Sequence, residues 1–137
     1  MMVKNYLKKF VYSGLENGID KNYRMDNKSV AAESSELVSA LIRGNLEPHF
    51  AAKRIFFLNI HMLCNQFGEE AVVDMFQSRE HFAEIRDIKD PLKLILNNQK
   101  DIFDVLTGER KGLSFKRTFG LFSIFFYKEE ALRDESC

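Results

Sequence analysis

The alternation of apolar and polar positions predicts helices along almost the whole chain. Over residues 3–11 the apolar side chains recur at i, i+3, i+4, i+7 and i+8, which marks one face of an α-helix. A second helix begins near Ser29 and stops at Gly44. Residues 14–28, rich in Gly, Asn, Asp and Lys, are predicted to form a flexible connection between these two helices.

The longest helix predicted by the sequence covers residues 48–67. Pro48 suits the first turn of this helix, because the backbone N–H that proline lacks would have no helical partner at that position. Gly68 lies just after the last residue of the helix, where glycine commonly ends helices. The apolar residues of this stretch cover more than one face. We therefore expect a central helix that other helices contact from several sides.

Three further helices are predicted downstream of Gly68. One is short and covers residues 71–76, the next is capped by Ser78, and the third begins at Asp90 and Pro91. The apolar residues of the third helix are expected to face the core. They are Leu92, Ile95, Leu96, Ile102, Phe103 and Leu106.

Residues 113–127 satisfy two periodicities at once. Apolar residues at even spacings permit a β-hairpin, which would make the protein α+β. A helical stripe is also present, and we favour a helix because a lone hairpin is marginal without partner strands. The predicted fold class is thus all-α, a compact bundle of about six or seven helices around the central helix 48–67. The helical stripe consists of Phe115, Phe119, Phe122 and Phe126.

Composition fits a single globular domain over residues 1–137 that ends in a charged tail, residues 129–137. The 45% of apolar residues, with 13 Phe, supply a core. The longest apolar run, 119–127, falls short of the roughly 20 residues of a membrane-spanning helix, so no span is expected. The lysines at positions 8 and 9 precede any signal-like apolar run, and two cysteines make no disulfide framework. We therefore expect a cytoplasmic protein.

The net charge of zero conceals opposed blocks along the chain. Residues 68–107 carry a net charge of −4 and residues 108–128 a net charge of +4. A basic segment of this kind can present a patch to an acidic partner or to a phosphate backbone. The residues predicted to contact a partner are Arg110, Lys111, Lys116, Arg117, Lys8 and Lys9.

No motif in the chain predicts catalysis. His61 and Cys64 are spaced to share a metal ion, but no second His/Cys pair completes a site. No serine lies in a G-x-S-x-G turn, and no glycine-rich loop could hold a phosphate or a dinucleotide. We expect no catalytic residue, no metal ligand and no cofactor, although a small enzyme of unknown class remains a third alternative.

The sequence therefore favours a non-enzymatic protein-binding regulatory module of the inhibitor, immunity or adaptor type. Its contact surface would be basic and Phe-rich, because five Phe within residues 113–127 exceed what a terminal helix is expected to bury. The same Phe-rich segment could join copies of the chain into a homo-oligomer. The alternative is a nucleic-acid-binding protein that uses residues 108–117 together with the N-terminal lysines.

The run AAKRIFFLN, residues 51–59, resembles a short segment of orthobunyavirus nucleoproteins. The resemblance covers nine residues and brings no functional residue with it. It adds only a little to the nucleic-acid alternative.

Overall fold

The computed structural model describes residues 24–77 and 88–136, and that part of the chain forms five α-helices and no strand. The all-α class is confirmed, and residues 113–127 hold no hairpin. The helices predicted over 3–11 and from Ser78 lie outside the described residues. The observed helices are α1 (Asn27–Ile42), α2 (Pro48–Phe67), α3 (Glu69–Gln77), α4 (Pro91–Leu106) and α5 (Phe115–Ser136).

Local capping chemistry explains where these helices begin. The Asp90 carboxylate accepts a hydrogen bond from the Lys93 N–H at 3.0 Å, which satisfies one of the unpaired donors at the start of α4. Asp26 does the same at the start of α1, where its Oδ1 accepts from the Ser29 N–H at 2.7 Å. Hydrogen bonding to Ser29 keeps the pKa of the Asp26 carboxyl below its usual value. Gly68 ends α2 with a backbone φ of 90°, which residues other than glycine rarely adopt.

Residues 24–28, at the end of the predicted flexible connection, lie within the described part of the chain. Met25 is buried, and its N–H donates to His61 Nδ1 at 3.2 Å. Arg24 donates from Nη1 to the Cys64 carbonyl at 3.1 Å and pairs through Nη2 with Glu69 Oε1 at 2.7 Å. Arg24 and Met25 thus have partners on α2 and α3, and residues 27 and 28 already belong to α1. The remainder, 14–23, lies outside the described residues.

Helix α2 is the centre of the described bundle. It packs against each of the other four helices, as its apolar pattern predicts. Phe56 on this helix is fully buried, and its ring lies 5.5 to 5.7 Å from four other phenylalanine rings. Those rings belong to Phe57, Phe76, Phe122 and Phe125.

The phenylalanines of α5 form core rather than surface. Four of them are at most 2% exposed, and Phe115 is partly buried against the same core. The predicted Phe-rich contact surface, and self-association through it, are therefore wrong for residues 115–126. The prediction underestimated how much α5 buries, because α5 packs along α2 and its Phe119 ring also lies 4.8 Å from the ring of Phe76. The four buried residues are Phe119, Phe122, Phe125 and Phe126.

Helix α5 extends further than its apolar pattern suggests. Its backbone remains helical to Ser136, through most of the stretch predicted as a charged tail. Neither α5 nor any other helix within residues 24–77 and 88–136 combines the length and the hydrophobicity needed to cross a membrane.

Helix α4 is rotated from the orientation that its apolar pattern predicts. Ile95 and Ile102 are fully buried as expected, but the other four apolar residues are 40 to 43% exposed. Polar side chains take inward positions instead. Gln99 accepts a hydrogen bond from Ser34 on α1, and Asp101 pairs with two arginines, one on α5 and one in the loop before it, whereas the buried Asn98 has no hydrogen-bond partner among the described residues. The exposed apolar residues of α4 are Leu92, Leu96, Phe103 and Leu106, and Ile42 at the end of α1 is also exposed.

Candidate functional site: a basic cleft between α4 and α5

Two of the predicted contact residues converge on one buried carboxylate. Arg110 Nη2 lies 3.1 Å from Asp101 Oδ1, and Arg117 Nη1 lies 2.8 Å from Asp101 Oδ2. Asp101 is 2% exposed, whereas the two arginine side chains are 40% and 37% exposed. The arginines therefore have an internal partner at one end of each guanidinium and solvent at the other.

This arrangement gives the two arginines a structural role. A carboxylate taken out of water is costly unless cations or hydrogen bonds compensate it. Arg117 Nη1 also donates to the carbonyl of Asn97 at 3.0 Å, so it links α5 to α4 through both a side chain and the backbone. Only the outer faces of the two guanidinium groups are available to another molecule.

Beside this cluster lies a cleft of about 390 Å³ between α4 and α5. Lys93, Lys116 and Arg117 supply three cations to its walls, and Leu94 contributes apolar surface. At Gly120 the helices approach so closely that an added Cβ would lie 2.7 Å from a terminal methyl of Leu94. The remaining lining residues are Ile88, Asp90 and Asn97.

Acidic residues are interspersed among the bases around the cleft. Residues 88–117 contain seven basic and four acidic side chains. Lys100 is engaged with Asp104 at 2.8 Å, and Asp101 holds two of the other bases. The cleft region is therefore positive on balance but far from a uniform positive surface. The seven bases are Lys89, Lys93, Lys100, Arg110, Lys111, Lys116 and Arg117.

The structure brings together part of the predicted contact set. Arg110 and Arg117 share Asp101, Arg117 and Lys116 share the cleft, and Lys111 is exposed in the loop between α4 and α5. The predicted contacts at positions 8 and 9 lie outside the described residues. Sequence reasoning missed Lys93 because its position on the cleft depends on how α4 packs against α5.

The His61 and Cys64 pair has an interior position. Both side chains are buried, and burial raises the pKa of the Cys64 thiol to about 11, so its reactive thiolate form is strongly disfavoured. Within residues 24–77 and 88–136, no three His, Cys, Asp or Glu side chains are placed to hold a metal ion. Cys137 lies outside the described residues.

His61 is expected to make the stability of the fold depend on pH. Burial lowers the pKa of its imidazole, and the nearby charge of Arg24 lowers it further. The folded state therefore holds the neutral ring, whose Nδ1 accepts from the Met25 N–H. The unfolded chain takes up a proton near the ordinary pKa of about 6.5. His61 thus contributes its full stability above that pH and loses it as the pH falls toward the lowered pKa of the folded state.

Urea unfolding at pH 7.5 and at pH 5.5 measures this effect, and the contribution of His61 to the free energy of unfolding should be smaller at pH 5.5. Carboxylates titrate at lower pH, so the informative quantity is the difference between variants. His61→Asn keeps an acceptor near the position of Nδ1 and should reduce the pH dependence, because it removes the buried imidazole that takes up the proton on unfolding. Equal pH dependence in the wild type and His61→Asn would contradict the assignment.

Comparison of the chain with protein-family models, with curated proteins and with solved structures finds no match. The function is therefore inferred from the residues of the cleft and from their charges.

Proposed function

We propose that this protein is a non-enzymatic binding module that holds an acidic segment of a partner protein in the cleft between α4 and α5. The observation that carries the proposal is the combination of three cations with an apolar wall in a cleft of about 390 Å³. Carboxylates of the partner would meet Lys93, Lys116 and the outer face of Arg117. One apolar side chain of the same segment would pack against Leu94.

This recognition requires no chemistry from the protein itself. Inhibitor, immunity and adaptor proteins all act by occupying a surface of a partner, and a small all-α domain with a charged cleft suits that role. Charges at the rim of an interface mainly accelerate the encounter and select the partner, whereas the apolar contact at its centre slows dissociation. We therefore expect the cations of the cleft to govern the association rate and its dependence on salt.

The distribution of acids favours a protein over a nucleic acid as the partner. Binding to a phosphate backbone draws its affinity from lysines and arginines that displace counterions. Here Asp101 already neutralises much of the charge of Arg110 and Arg117, and Asp90 lines the cleft itself. A protein partner can place its own bases opposite such acids, whereas a phosphate backbone has none to offer. Nucleic-acid binding is therefore the alternative that the binding experiment described next must distinguish.

The test is the binding of short Glu-rich peptides, each with one central Leu or Phe, measured by fluorescence anisotropy at low and at physiological salt. Lys116→Glu is expected to weaken binding about tenfold, mainly through a slower association rate. Arg117 is not reversed, because its reversal would leave Asp101 without one of its two partners. The matched control is Arg54→Glu, an exposed base on α2 that does not line the cleft.

Two results would contradict the proposal. One is equal peptide binding by the wild type and by Lys116→Glu. The other is tight binding of an oligonucleotide with a steep salt dependence that Lys116→Glu reduces, which would establish the nucleic-acid alternative.

A further inference from the structure

Helix α4 exposes two pairs of apolar side chains along one face, separated by Gln99, which is nearly buried and accepts a hydrogen bond from Ser34 on α1. The four exposed side chains are 40 to 43% accessible, and with Gln99 between them they follow a spacing of 4, 3, 4 and 3 residues. This is the spacing of a coiled-coil seam, in which one face of a helix packs along a partner helix. Isolated exposed apolar residues are ordinary, but this row extends along roughly 21 Å of one helix. Its members, here called the α4 stripe, are Leu92, Leu96, Phe103 and Leu106.

We propose that the α4 stripe pairs with the α4 stripe of a second copy of this chain, the two helices lying antiparallel across a two-fold axis near Gln99. In this arrangement Leu92 faces Leu106 of the second copy, and Leu96 faces Phe103 of the second copy. A two-fold axis makes the contact self-complementary, so each copy covers the entire stripe of the other.

The charges beside the α4 stripe select the antiparallel direction. Lys89 and Lys93 lie at its N-terminal end, where the acidic Asp90 caps the helix. Asp104 and Glu109 lie at or beyond its C-terminal end, where Lys100 pairs with Asp104, Arg110 pairs with Asp101 and Lys111 follows in the loop. Antiparallel pairing places Lys93 near Asp104 of the second copy and Lys89 near Glu109 of the second copy. Parallel pairing would place lysine beside lysine and carboxylate beside carboxylate, which is unfavourable.

The shape of the surface agrees with the same arrangement. At its N-terminal end, Leu92 borders a cleft of about 410 Å³ that is otherwise lined by the end of α1 and the loop leading to α2. Leu41, Leu46 and Pro48 supply apolar surface to this cleft. Antiparallel pairing brings Leu106 of the second copy over the cleft, and the two-fold axis repeats the contact at the other end.

The size of the contact predicts a weak dimer. Four half-exposed side chains from each copy cover less than the roughly 800 Å² per partner that is typical of stable complexes. A dissociation constant of about 10–100 μM is therefore expected. Monomer and dimer would exchange readily with protein concentration.

Sedimentation equilibrium of the full chain between about 1 and 500 μM tests the proposal, a range chosen to bracket the expected dissociation constant. We expect the wild type to dimerise and Phe103→Glu to weaken the dimer at least tenfold. Phe50→Glu is the matched control, because Phe50 is 48% exposed but lies on α2 outside the α4 stripe. Lys116→Glu, which alters the binding cleft, should leave dimerisation unchanged, so the two proposals can fail separately. Circular dichroism verifies that each variant keeps its helical content.

A charge exchange tests the antiparallel direction. Lys93→Glu alone and Asp104→Lys alone should each weaken the dimer about threefold, and the double variant should regain most of the loss. The two positions are about 16 Å apart along one helix, so this recovery requires a second copy.

A chain that stays monomeric at every concentration overturns the proposal, as does a dimer that survives Phe103→Glu or a double variant without recovery. If removal of residues 1–12 then converts a monomeric chain into a dimer, the apolar face predicted over residues 3–11 is the occupant of the α4 stripe instead.

Discussion

Phe56→Ala is expected to lower the free energy of unfolding by about 4 kcal/mol, the largest effect of any single substitution considered for this protein. The side chain is fully buried on the central helix α2. Its ring is surrounded by four others, contributed by α2, α3 and α5, and its removal leaves a cavity that these rigid rings cannot fill. Since domains of this size are stable by only about 5–15 kcal/mol, the variant should be close to unfolding.

Chemical denaturation followed by circular dichroism provides the measurement. Phe50→Ala on the same helix serves as the control, because Phe50 is 48% exposed and its truncation should cost less than about 1 kcal/mol. Should Phe56→Ala not fold at all, Phe56→Leu still gives a measurable loss of about 1–2 kcal/mol. Similar losses for Phe56→Ala and Phe50→Ala would show that the aromatic cluster is not the centre of the core.

Replacing Arg110 and Arg117 together by Gln is expected to destabilise the fold by about 3 kcal/mol, because it leaves Asp101 buried without a cation. Each single replacement should cost clearly less than half of this, since the remaining arginine still pairs with the carboxylate. The effects should therefore be non-additive. Adding Asp101→Asn to the double variant should recover much of the loss by removing the unpaired charge.

The control for this experiment is the double variant Lys93→Gln and Lys111→Gln, which removes the same number of positive charges from two exposed positions near the cluster. We expect it to lose no more than about 1 kcal/mol. If both double variants lost equal stability, the loss would reflect net charge rather than the pairing of Asp101.

The helix boundaries were predictable because the signals that set them are local. Pro48 and Gly68 bracket α2, and Asp90 caps α4 through a hydrogen bond to a residue three positions away. The all-α class followed from the same signals. Helix α1 begins at Asn27, two residues before the predicted Ser29, and its start is also set locally, by the Asp26 cap on the Ser29 N–H. The contacts that hold Arg24 and Met25 to residues 36 to 45 positions away are not revealed by any local pattern.

The rotation of α4 was not predictable from its own sequence. The helix carries both apolar and polar residues on neighbouring positions, and either set could have faced inward. Two members of the polar set have partners that come from other elements: Ser34 for Gln99, and Arg110 and Arg117 for Asp101. The exposed α4 stripe is a consequence of that choice.

The sequence predicts the positive charges of the candidate site but not how its side chains are arranged. The basic segment 108–117 stands out in the sequence, but nothing there indicates that Asp101 engages two of its arginines. The number of phenylalanines in residues 113–127 exceeds what a helix can bury only if that helix buries a single face. With α2 and α3 both in contact with these rings, the phenylalanines belong to the interior.

The contacts of Arg24 join a residue that precedes α1 to the described bundle. Its guanidinium joins the carbonyl of Cys64, near the end of α2, to the carboxylate of Glu69, in the first turn of α3. One side chain, from a position before the first described helix, thus holds together the end of α2 and the start of α3 on either side of Gly68. A fragment that started at Asn27 would keep every described helix and lose these two contacts of Arg24. Any shortened chain should therefore retain Arg24.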